Sequence, residues 1–345
     1  DTDGHGNNVA IGANAAENIS TGTSNTALGT EAMGTGATTG NENVAVGHRA
    51  GLTLTSGPRN TLIGSSTGDA LTTGYYNTAL GYQALSSSVS GRNAVAIGYQ
   101  ALMSEAATNS ETYNVAVGYV AGTAVTTGVN NTLIGGLAGD ALLTGSYNVA
   151  LGYGALSAAD GSESKNVAIG ANALAVLNND GDAFNVAVGY SSGALMTTGI
   201  NNTLIGGLAG DAITEGNFNT AVGYTALSSQ TTSSGNTALG WGAGANITTG
   251  GDNTALGMYA LHTEDGTGKN VAVGNNALKL QNAASDAYNV AVGHSAGLSV
   301  TTGVGNTLIG GLAGDALTEG YSNVAFGYNS LSTEDTGARN TAVGY

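Results

Sequence analysis

Apolar positions along this chain do not follow one simple period. They recur inside a five-residue phrase, Asn-(Val/Thr)-(Ala/Leu)-(apolar)-Gly, which begins at Asn8, Asn25, Asn43, Asn60, Asn77, Ala94 and Asn114 and continues through Asn131, Asn148, Asn166, Asn185, Asn202, Asn219, Asn236, Asn253, Asn270, Asn289, Asn306, Asn323 and Asn340. Of the 19 intervals between these 20 starts, 14 are 17 residues and the others 18 to 20. A fixed period of this length is the signature of stacked repeats, so one domain is expected over 1–345. The fourth position is always apolar and the fifth always Gly, from Gly12 to Gly344. Such a segment reads as a short strand running into a turn.

A second Gly stands three residues before the next start in 13 intervals, as at Gly22, Gly57, Gly128 and Gly320, which predicts a second turn and hence two short strands per coil. Gly at this frequency, costing about 1 kcal/mol each in a helix interior, argues against helices. One coil cannot bury an apolar face alone, whereas about 20 coils stacked at the strand spacing form a rod of roughly 95 Å with a continuous core. The predicted fold is therefore all-β, a parallel β-solenoid. The expected columns are the fourth-position aliphatics inside, Gly at the corners and Asn as a hydrogen-bonded ladder at a turn. The third position is Ala, or Leu at Leu62, Leu133, Leu204 and Leu308. Strand alternation then points it outward, as an exposed apolar stripe whose cover would be another copy of the chain.

A longer unit is superposed on the coil. Asn-Thr-Leu-Ile-Gly begins at Asn60, Asn131, Asn202 and Asn306, at spacings of 71, 71 and 104 residues, and Gly-Leu-Ala-Gly-Asp-Ala accompanies the last three copies. Longer coils place extra loops at 104–112, 177–183 and 280–287.

Composition narrows the function. Acids number 23 against 7 bases, a net charge of −16, which disfavours nucleic acid and anionic membrane as partners. No apolar run reaches the roughly 18 residues of a membrane span, so no membrane insertion is expected in this segment. With 0 Cys there are no disulfides or thiolate metal sites. Asp1 is not an initiator Met, and Tyr345 ends the chain in mid-repeat without a polar cap. A trimmed chain or end-to-end stacking is expected from those ends.

At this point the residues carry a resemblance. Asn8-Val-Ala-Ile-Gly and Asn166-Val-Ala-Ile-Gly-Ala-Asn-Ala-Leu resemble the head repeats of YadA-like trimeric autotransporter adhesins. Thr73-Gly-Tyr-Tyr-Asn-Thr-Ala-Leu-Gly-Tyr-Gln-Ala-Leu85 is similar to repeats of phage tail-fibre-like and bacterial surface proteins. The resemblance implies a left-handed β-roll, three chains side by side, at the cell surface, outside the cell or on a virion. The 17-residue coil is longer than that of adhesin heads.

Candidate chemistry is sparse. Asp69, Asp140, Asp211 and Asp315 share one slot but lie four or six coils apart, too far to pair as glycosidase carboxylates. Glu31, Glu105, Glu215, Glu264, Asp265, Glu319, Glu334 and Asp335 fall in corner loops. Asn179-Asp180-Gly-Asp182 offers oxygen ligands to Ca²⁺ through Asp180 and Asp182, although it is shorter than an EF-hand loop and lacks the closing Glu. Gly240-Trp-Gly-Ala-Gly244 lacks the Lys and strand–helix setting of a phosphate loop. His5, His48, His262 and His294 are scattered, and no enzyme is expected. The residue after the strand Gly is aromatic at Tyr82, Tyr99, Tyr119, Tyr153, Tyr190, Tyr224, Trp241, Tyr328 and Tyr345. An aromatic column either stacks structurally or binds a glycan or surface through repeated weak contacts. These readings predict a structural and adhesive fibre, a rigid shaft that attaches to a host-cell surface or glycan and associates with itself as a homotrimer. Alternatives are a self-assembling extracellular filament or matrix protein and, less favoured for want of a regular Thr-x-Thr lattice, an ice-binding solenoid.

Overall fold

A computed structural model describes residues 6–106, 111–159, 161–264, 266 and 268–345. His5 and Asp265, with part of the 104–112 loop, lie outside the described residues. The chain is all-β, a parallel β-solenoid of about 19 turns, with two compact units. The first unit comprises 1–172 with 178–182, and the second 173–177 with 183–345. In the first, three-residue strands from Val9–Ile11 to Val167–Ile169 pair in parallel, each with the next coil. In the second, strands from Val186–Val188 to Thr341–Val343 do the same. Every pairing keeps repeat positions two, three and four opposite their counterparts, for example Val115 with Thr132, Ala116 with Leu133 and Val117 with Ile134.

Two expectations are corrected. The inside and outside of the strand are exchanged: third-position residues such as Ala27, Ala45, Leu62, Ala79 and Leu133 are fully buried, while second- and fourth-position side chains are part-exposed or exposed. The cause lies in what faces the strand. The interior already holds large side chains from the ninth coil position, such as Leu85, Leu102, Leu156 and Leu174, and in each of these coils the third position is Ala. Where the third position is Leu, the ninth is Gly: Gly68, Gly139, Gly210 and Gly314. The stripe expected to need a partner chain is thus the core, and the exposed apolar column is the fourth position.

The second correction concerns strands. Each coil forms one strand, and beyond it the described residues make only the isolated bridges Ile19–Thr38, Arg92–Glu111 and Ser164–Asp182. The chain closes through left-handed residues at the seventh and ninth positions and just before the Asn, such as Gln83 (φ 54°), Leu85 (φ 57°) and Tyr76 (φ 59°), and these interrupt extended backbone. The strand-ending Gly is enforced twice over. Gly135 has φ 135°, and a Cβ there would lie 2.4 Å from the carbonyl oxygen of Gly152 in the next coil.

The Asn ladder forms as expected, inside the fold. Asn131 Oδ1 accepts hydrogen bonds from the Asn148 backbone N–H at 3.0 Å and its Nδ2 at 3.1 Å. Asn148 Nδ2 in turn donates to the Glu163 carbonyl at 2.7 Å. Each carboxamide therefore satisfies a buried backbone donor in the next coil and a carbonyl at a corner, which a buried polar column requires. Because Asn and the third-position Ala are two apart in extended backbone, both point inward.

Candidate functional site

The outward side of each strand carries the second-position Thr or Val and the fourth-position aliphatic, with no charged residue at either position in any copy. Ile11, Leu80, Leu151, Leu239 and Phe326 of the fourth column are among the exposed large hydrophobics. Just past the corner Gly stands the predicted aromatic column. Tyr82 and Tyr99 stack with ring centroids 5.6 Å apart and planes 17° from parallel, and Tyr99 and Tyr119 stack at 5.3 Å and 12°. The parallel, in-register pairing of their strands places these rings one rung apart, in the offset arrangement that aromatic pairs prefer. Tyr153, Tyr190, Tyr224 and Tyr328 occupy the same slot and are all more than half exposed. Trp241 leans on Tyr259 of the next coil at 5.1 Å, and Tyr259 meets His262 edge-on at 5.0 Å. Burial, then the nearby Lys279 charge, holds the His262 imidazole below its ordinary pKa.

The column is not continuous. Glycine takes its place at Gly136, Gly207 and Gly311, each between two coils that carry an aromatic residue or histidine there, and Ala13, Thr30, Ser65, Ala171, Met258 and Asn275 interrupt it elsewhere.

Sequence reasoning missed a second aromatic column. The residue immediately before the ladder Asn is aromatic at Tyr76, Tyr113, Tyr147, Phe184, Phe218 and Tyr288, and all six are exposed in left-handed backbone. The signal was present, since each directly precedes a repeat start. Bases work beside this column. Arg59 donates to the Glu42 carboxylate at 2.8 Å and to the Tyr76 hydroxyl at 2.7 Å, and its guanidinium lies 5.6 Å from the Tyr76 ring centroid. Arg92 covers Tyr75 at 4.7 Å and Arg339 covers Tyr321 at 5.3 Å. These cations thus hold neighbouring coils together.

The acids are not brought together. Asp182 takes the Lys165 ammonium at 2.6 Å, and no group of three or more His, Asp or Glu suited to a metal ion occurs among the described residues. Burial raises the pKa of Asp69, Asp140 and Asp211, against which Arg49 acts at Asp69. Glu105 is fully buried at the twelfth coil position rather than in a solvated corner, and burial pushes its carboxyl up to about 7. The Thr112 hydroxyl offsets this only in part, since its hydrogen goes to the Arg92 carbonyl at 3.1 Å.

No protein-family model matches the chain, and no curated protein does. No helix among the described residues is long and apolar enough to cross a membrane.

Proposed function

We propose that this protein is a structural and adhesive fibre segment, working outside the cell or on a virion, that attaches through its outward aromatic columns and associates side by side with further copies. The observation that carries this reading is the pairing of a charge-free outward strand face with half-exposed, in-register tyrosines at its edge. Large exposed apolar patches on a folded protein mark interaction surfaces. The fourth-position column is the surface for self-association, in place of the buried third. The resemblance to adhesin-head and tail-fibre repeats supports the same role, with a homotrimer as the assembly.

Native mass spectrometry tests the assembly: a trimer is expected, and a stable monomer at micromolar concentration overturns it. Whole-cell binding of the labelled protein tests adhesion, and failure to bind any cell type overturns that part.

A second reading, ice binding, draws on Thr203, Thr220, Thr237 and Thr254, which follow one another outward on four successive paired strands. Measurable thermal hysteresis would favour it over adhesion.

A further inference from the structure

The glycines that interrupt the tyrosine column are placed regularly. Gly136 falls between Tyr119 and Tyr153, and Gly207 between Tyr190 and Tyr224. Gly311 falls between His294 and Tyr328. In the remaining copy of the Asn-Thr-Leu-Ile-Gly unit, Ser65 stands between His48 and Tyr82. All four copies therefore place a small residue between two ring-bearing ones.

Backbone hydrogen bonds fix the three rungs of each cleft. The Leu137 N–H donates to the Tyr119 carbonyl at 2.9 Å, and the Gly154 N–H to the Gly136 carbonyl at 3.0 Å. The Gly207 cleft repeats this, with Leu208 donating to Tyr190 at 2.9 Å and Thr225 to Gly207 at 3.1 Å. A Cβ built on Gly136 would meet only the ring of Tyr153, at 3.4 Å, and one on Gly207 only the ring of Tyr224, at 3.4 Å. Neither glycine has a positive φ. Backbone conformation does not demand glycine there, and its effect is to leave out a side chain. In the Tyr82–Tyr99–Tyr119 stack, the equivalent space is filled by a six-membered ring that contacts the rung on either side.

We infer that each cleft is a subsite for one pyranose ring of a neutral polysaccharide, which takes the place the missing side chain leaves in the column. This inference rests on the adhesive reading above and names its ligand. The apolar face of a pyranose stacks on an aromatic ring, while its equatorial hydroxyls stay in water or reach the tyrosine hydroxyls. That suits a cleft whose walls are more than half exposed: Tyr119 60%, Tyr153 61% and Tyr190 62%. A wholly apolar ring would lose little water contact at such a site. The net charge of −16 selects against anionic polymers. Within the first unit, Ser65 and Gly136 are four coils apart, about 19 Å at the strand spacing, so a long glycan can engage more than one cleft and gain avidity.

The test is affinity electrophoresis of the full 345-residue chain through gels holding neutral polysaccharides (mannan, β-glucan, xylan and galactan). Ser65→Tyr, Gly136→Tyr, Gly207→Tyr and Gly311→Tyr combined should fill the four clefts, keep the circular dichroism spectrum and weaken retardation by the preferred polymer at least tenfold. Tyr82→Ala, Tyr153→Ala, Tyr224→Ala and Tyr328→Ala combined, which remove a wall of each cleft instead, should weaken it comparably. Free monosaccharide of the same sugar should compete. Unchanged retardation of the filled variant, absence of retardation by every neutral polymer, or competition by a phenol but not by sugar overturns the inference. Whole-cell binding separates the two proposals. If the filled variant adheres as well as wild type, the cleft inference falls and the adhesive reading stands; if wild type adheres to no cell, the adhesive reading itself falls.

Discussion

Leu133 occupies the space that Gly139 leaves empty: a Cβ on Gly139 would lie 2.8 Å from a δ-carbon of Leu133. The other δ-carbon of Leu133 would meet a Cβ on Gly122, in the preceding coil, at 2.7 Å. One leucine is thus seated between two glycines on successive coils, and the same arrangement surrounds Leu62, Leu204 and Leu308. Leu133→Ala should cost about 2–5 kcal/mol through the cavity it opens. Gly139→Leu, into an occupied space, should cost about 1–3 kcal/mol or more. Combined, the two reproduce the Ala/Leu arrangement of coils such as that of Ala150 and Leu156, and the double variant should recover part of the loss. Urea denaturation of the four proteins in a double-mutant cycle checks this; purely additive losses would refute the exchange.

Glu105 makes stability depend on pH. Among the described residues neither carboxyl oxygen has a hydrogen bond of normal geometry, and burial, offset only in part by the Thr112 hydroxyl, puts its folded-state pKa at about 7, above the ordinary 4.5. The folded protein therefore binds the proton more tightly than the unfolded chain does. Its stability is full below about 4.5 and declines as pH rises towards about 7, by about 3 kcal/mol in all. Glu105→Gln should abolish that decline and raise stability at pH 8. Thermal melts across pH 4 to 8 read the difference, and parallel profiles for the two proteins would contradict it.

The Asn ladder is broken at Ala94. Asn77 Oδ1 accepts from the Ala94 N–H at 3.0 Å, but Ala94 has no carboxamide to offer Asn114 in the next coil. Ala94→Asn should complete the column and stabilise this region by about 1 kcal/mol. The local readout is hydrogen exchange at the Asn114 amide, which should slow about fivefold.

Val120 is a β-branched residue at φ 57°, where most coils carry Asn, Gln, Ser or other unbranched side chains. Left-handed backbone costs such a residue about 1–2 kcal/mol. Val120→Asn should raise the melting temperature, while the hydrogen bond from the residue-120 N–H to the Tyr99 carbonyl is kept.

Coil length, the parallel register, the Gly corners and the Asn ladder were legible in the sequence because each is enforced by a backbone requirement that few residue types meet. The side of the strand that faces inward was not, because large aliphatic side chains at the fourth position suggest burial whichever way they point. Two patterns carried the right answer. A buried Asn ladder places the third position on its own side of the strand, and Leu133 with Gly139 varies as one core volume. The aromatic column was legible residue by residue, but its stacking at Tyr82, Tyr99 and Tyr119 and its gaps at Gly136 and Gly207 became meaningful only with the rungs in register. Glu105 read as a corner acid because the number of residues between two turns does not reveal which of them points inward.

The seating of one leucine between glycines of two consecutive coils limits how such a chain can lengthen. A recombination that parted Gly122 from Leu133 would set the leucine against a filled neighbour, and the new joint would carry the clash. The heritable module is therefore the group of coils that brings its own glycines with it, and Asn60, Asn131 and Asn202, which recur at 71 residues, each begin a coil whose leucine keeps both of its glycines.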